Sequence, residues 1–172
     1  MALITFIAGN FKHCLEICST DFSSVSNSAL FEGNLLRLKA LALVELHSKH
    51  RKTSSQAVSV EVSDSSGSSD RETSIREAIT SVENALEIYS CAVTTMSSWQ
   101  LGSSVQKGSG VRKVNVWGQA LSNFHLGYLF KKLSTLVEIN KEETKCDAGS
   151  PPPKQDLLDK ASTHLKKAFK GF

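Results

Sequence analysis

Residues 78–89 read AITSVENALEIY, and within them Ala78, Val82 and Ala85 recur at spacings of four and three. That spacing keeps all three on one face of an α-helix. A small–large–small face lets a neighbouring helix approach closely, so the stretch predicts a helix packed on other helices. The same ladder returns near the end of the chain in residues 161–172, ASTHLKKAFKGF, as Ala161, Leu165 and Ala168. Near the start, residues 8–18, AGNFKHCLEIC, carry Cys14 and Cys18 in the first two positions of the pattern, although Asp21 stands where the next small residue is expected.

Working outward from these ladders, apolar periodicity of 3.6 predicts helices over about 11–20, 28–49, 74–96, 111–138 and 155–170. The 28–49 helix is apolar over more than one stripe, as a helix buried between neighbours should be. Ser74-Ile75-Arg76-Glu77 is a capping-box candidate for the start of the 74–96 helix. The apolar faces are expected to be Phe11, Cys14, Leu15 and Cys18 in the first, Ile75, Ala78, Val82, Ala85, Leu86 and Tyr89 in the third, and Leu158, Ala161, Leu165, Ala168 and Phe169 in the last. The 111–138 helix carries Trp117, Leu121, Phe124, Leu126, Tyr128, Leu129, Leu133 and Leu136.

Between the helices the composition changes abruptly. Residues 53–74, TSSQAVSVEVSDSSGSSDRETS, hold too little apolar surface to fold alone and are expected to be a disordered insertion. Val58 to Val62 alternate inside it like a short strand, which resembles a SUMO-interacting motif followed by a phosphorylatable Ser/Asp run; a plain linker is the alternative. Residues 97–110 are punctuated by Gly and Ser. Residues 140–154 end in Pro151-Pro152-Pro153, which cannot continue a helix.

The ladders resemble the second helix of the tetratricopeptide repeat, an antiparallel helix pair. Leu126-Gly127-Tyr128-Leu129-Phe130 resembles the end of its first helix, where the glycine gives the partner helix close approach. Leu36, Ala40 and Leu43 resemble a weaker version of that face, and AGNFKHCLEIC resembles the turn between the two helices. The resemblance implies an all-α fold of antiparallel helix pairs stacked as a short TPR-like α-solenoid. Its parts would be a partial repeat over 1–24, a second pair over 28–96 holding the 53–74 insertion, and a third pair over 111–170 holding the proline loop at 140–154. Regular repeats recur about every 34 residues, whereas Cys14, Ala78 and Ala161 lie roughly two such lengths apart. The repeat's usual tryptophan and helix-ending proline are missing from their places. An irregular helical bundle, in which the spacing reflects close packing alone, is the alternative.

The chain's composition points away from chemistry and towards binding. A net charge of +3 argues against nucleic acid, and the basic runs at 47–52 and 160–170 read as solvated helix ends. Four cysteines, Cys14, Cys18, Cys91 and Cys146, give neither a disulfide scaffold nor a completed metal set, and Cys14 and Cys18 read as buried small apolar residues. The opening MALITFIAG is too short to span a bilayer, so the expectation is an intracellular protein, cytoplasmic or nuclear. No HExxH, GxSxG, phosphate-loop or dinucleotide motif is present. The sequence therefore predicts no enzyme, no catalytic residues, no cofactor and no metal.

What remains is a scaffold or adaptor that holds a partner's peptide or helix. Repeat position makes Arg37, Lys39, Asn123 and Tyr128 the candidate partner-binding residues. Arrays that clamp chaperone C-termini carry an asparagine just after the glycine, where Tyr128 stands here. The alternative function is a helical regulatory or structural fragment of a larger protein or complex, such as separase or an RNA-processing complex. The first helix of the opening pair would be only residues 1–8, which suggests a truncated product or a surface awaiting a partner.

Overall fold

The computed structural model describes residues 1–20, 29–54, 66–99, 109–143 and 153–171. These residues form α1 (Ala2–Ile7), α2 (Phe11–Cys18), α3 (Ala29–Ser54), α4 (Ser66–Trp99), α5 (Ser109–Glu143) and α6 (Pro153–Gly171), with no strand among them. The chain is all-α, as its periodicity requires. No helix among the described residues is long and apolar enough to cross a membrane.

The α1–α2 turn shows how local chemistry sets an element boundary. Gly9 adopts a left-handed φ of 75°, a conformation that costs glycine little. Its N–H donates to the Phe6 carbonyl at 2.9 Å, and the Asn10 N–H donates to the Thr5 carbonyl at 2.9 Å. Those two bonds are a Schellman closure, which satisfies carbonyls that the end of α1 would leave unpaired. Asn10 then caps α2, its side chain accepting from the His13 N–H at 3.3 Å. The Phe6 and Phe11 rings meet across the turn with centroids 5.3 Å apart.

Each helix packs on its neighbours in the chain, and α3 also touches α1 and α5. Two apolar clusters result, with α3 between them. The larger gathers Ala40, Leu43 and Val44 of α3, Ile75, Ala78, Ile79 and Val82 of α4, Leu126, Leu129, Phe130 and Leu133 of α5, and Leu157 and Ala161 of α6. The smaller joins Ala2, Phe11 and Cys14 to Ala42, with Leu35, Leu38 and Leu46 beside them. Serving two clusters explains why α3 is apolar on more than one side. Of the ladder residues, Cys14, Ala78, Val82, Ala85, Ala161 and Ala168 are buried, whereas Leu165 and, against expectation, Cys18 are half-buried. A Cβ placed on Gly127 would lie 2.6 Å from Leu165 Cγ and 3.1 Å from the Ala161 carbonyl oxygen, so α6 sits close enough to exclude any side chain there.

Several expectations need correction. Residues 66–74 are the first turns of α4, and 53–54 are the last of α3; the strand-like 58–62 lies outside the described residues. Ser74 is therefore no cap: its hydroxyl donates back to the Asp70 carbonyl at 2.9 Å. Once Ile75, Ala78 and Ile79 are packed, extending the helix backwards adds about one hydrogen bond per residue fixed. Arg76 supports that extension by pairing with Glu72 at 2.7 Å. On α6 the buried leucine is Leu157, and Phe169 is 74% exposed. On α5, Trp117, Phe124 and Tyr128 face outward, while Asn115, Ser122 and Ser134 are buried.

Candidate functional site

Along α3, Phe31, Asn34, Leu35, Leu38 and Leu41 follow helical spacing and present one side of the helix towards α1. With Met1, Ala2, Leu3 and Phe6, and with Ile17 of α2, they line a groove of about 730 Å³. Its walls are apolar except for Asn34 and Arg37. The rim is apolar too: Leu3 is 58% exposed and Phe31 42%. On α1, Ile4 and Ile7 also face outward, although they do not line the groove. Contiguous exposed apolar surface of this kind marks a contact site more often than a bare face.

The polar part of the groove is tied into the core. Arg37 Nη1 donates to Asn34 Oδ1 at 3.0 Å, and the Tyr89 hydroxyl donates to the same oxygen at 3.0 Å. Tyr89 is fully buried, and its ring fills the space left by two glycines: a Cβ on Gly33 would lie 2.5 Å from Cζ, and one on Gly118 would lie 2.6 Å from Cε1. Both positions lack side chains because the ring occupies that space. Burial raises the Tyr89 pKa, while the neighbouring Arg37 charge works against that shift. His125 of α5 lies near enough to feel the same charge; burial first, and Arg37 second, lower its pKa to about 4. Two atoms of this cluster, Arg37 Nε and His125 Nδ1, are buried without a hydrogen-bond partner.

The four candidates named from the sequence separate in space. Arg37 lines the groove. Lys39 pairs with Glu77 of α4 at 3.1 Å, holding α3 to α4. Asn123 is buried between α5 and α6, donating to the Gln119 carbonyl at 2.9 Å and meeting His164 Nδ1 at 2.9 Å. The His164 ring stacks on Phe130 with centroids 5.6 Å apart, and burial lowers its pKa. Tyr128 is exposed on α5 beneath the Lys132 ammonium, 5.6 Å from its ring, and that ammonium also reaches Ser48 of α3 at 3.4 Å. Residue-type reasoning passed over Phe31, Leu35 and Leu38, although their spacing with Asn34 is legible in the sequence.

Cys14 is completely buried, and burial together with Cys14 pushes the Cys18 thiol up to about 12, so its reactive thiolate form is suppressed. Among the described residues no group of three or more His, Cys, Asp or Glu side chains could hold a metal ion. Comparison with known protein families, with curated proteins and with solved structures found no match to this chain.

Proposed function

We propose that this chain is a non-catalytic interaction module of stacked, TPR-like helix pairs that binds a helix of a partner protein in the α1–α3 groove. The observation that carries the reading is an apolar groove with an apolar, exposed rim, built on the i, i+3, i+4, i+7 surface of α3. Ridges at that spacing accept another helix by interdigitation. Among the described residues there is no strand edge on which a partner strand could add. The stacking of α3 on both α1 and α5 supports the repeat reading, as does the close approach of α6 at Gly127.

Selection from a displayed library of amphipathic helices, about 18 residues or five turns long, tests this. Peptides should enrich on the native chain, and Phe31→Asp should abolish their binding while the protein still unfolds in one cooperative thermal transition. Failure of any helix to enrich overturns the reading. The second reading, a helical segment of a larger protein or complex, is favoured by Ile4 and Ile7, which face outward away from the groove.

A further inference from the structure

We infer that the helix this groove accepts carries a carboxylate within its apolar face, and that Arg37 is the residue that reads it. The inference rests on the proposed groove function and adds the chemistry of the partner. Asn34 Oδ1 already accepts from both Arg37 Nη1 and the Tyr89 hydroxyl, each at 3.0 Å. A carbonyl oxygen has two lone pairs, so its capacity is used. What the polar spot still offers a partner is the guanidinium N–H groups of Arg37 beyond the one given to Asn34, while its Nε–H lies buried beneath them without an acceptor. No acidic side chain lines the groove. The spot is thus rich in donors and positively charged, in a groove otherwise lined by apolar side chains.

Covering it with a purely apolar helix would strip water from a guanidinium and offer nothing in return, which is costly. A glutamate or aspartate placed among the partner's apolar residues supplies an acceptor for the outer guanidinium N–H groups and the opposite charge. Arginine suits that role because its planar fork takes a carboxylate through two parallel bonds. A helix is the favoured bearer of the carboxylate over a fatty acid. Lipid and small-molecule sites enclose most of their ligand, whereas Leu3 and Phe31 leave this rim open to solvent.

The test uses two displayed libraries of amphipathic helices, identical except for Glu or Gln at one central position of the apolar face. The Glu library should enrich, and changing that Glu to Gln in a selected peptide should weaken its binding by about tenfold or more. Arg37→Gln in the protein should weaken the Glu peptide to the same degree and leave the Gln peptide unaffected, so that the two changes are not additive. The peptide-side change leaves the protein untouched, so a poorly folding Arg37 variant does not blunt the test. Equal binding of Glu and Gln helices overturns this inference and leaves the groove function standing; no helix binding at all overturns both. Concentration-dependent self-association abolished by Phe31→Asp would make a second copy the occupant and overturn it. So would decanoate binding that depends on Arg37 where no helix binds.

Discussion

The α5–α6 interface and the α1–α3 groove use similar apolar side chains, yet one is closed and the other open. On the closed side, Gly127 has no room for a Cβ, and Gly171 lies against Ala120 so closely that a Cβ would come within 2.8 Å of the alanine's own. A glycine at each contact lets the facing helix use the space that a side chain would fill. On the open side, a six-residue helix built from Leu, Ile and Phe meets the bulky leucines of α3. There α1, α2 and the facing side of α3 enclose a groove, and Leu3 and Phe31 stay partly exposed at its edge. Glycine stands at the contact on the closed side, and none is among the residues that line the open groove.

The strongest way to break the comparison is to remove the element that ties the groove floor to the closed body. Tyr89→Ala should cost about 3–5 kcal/mol by leaving a cavity against Gly33 and Gly118, and a denaturant melt would measure it. A loss under about 1 kcal/mol would mean that surrounding residues collapse freely into that space. The next effect is a pH response of the closed body. The folded-state pKa of His125 is lowered to about 4, below its ordinary value near 6.5, so the fold holds the neutral ring. Stability from this group is complete above about pH 6.5 and falls as pH drops towards 4, because the unfolded chain takes up a proton that the folded chain refuses. The loss is of order 2–3 kcal/mol, and His164, also lowered, adds to it in the same direction. Melts between pH 7 and 4 should show the decline, and His125→Gln should flatten most of it. The smallest effect belongs to the open end: Ile4→Ser with Ile7→Ser should move stability by no more than about 0.5 kcal/mol. A larger loss would show that these side chains are packed.

Much of the fold was legible in the sequence because the closed body is built on strict spacing. Ala78, Val82 and Ala85 announce a helix–helix contact, and Gly9-Asn10 announces a turn. The start of α4 was not legible, since Ser-rich residues 66–74 have little helical preference of their own and inherit their conformation from the packed turns that follow. Phe169 and the outward aromatics of α5 misled for another reason. Hydrophobicity says that a side chain prefers burial, but only the neighbouring helix decides which apolar positions receive a partner. The groove was half legible: Arg37 was singled out, while the leucines around it read as ordinary core. Its polar spot depends on Tyr89, 55 residues from Asn34 in sequence, and no local pattern links the two.

That same tyrosine has a consequence for how the chain tolerates change. Residues 55–65 join α3 to α4 and residues 100–108 join α4 to α5, yet the register of the three helices is keyed by one ring seated against Gly33 and Gly118. In general, doubling the length of a connection costs only about 0.6 kcal/mol, far less than unseating the ring. The connecting segments can therefore drift in length and composition while the joint keeps the helices aligned. A change of length between the helices is expected to cost less stability than a change at Gly33, Tyr89 or Gly118.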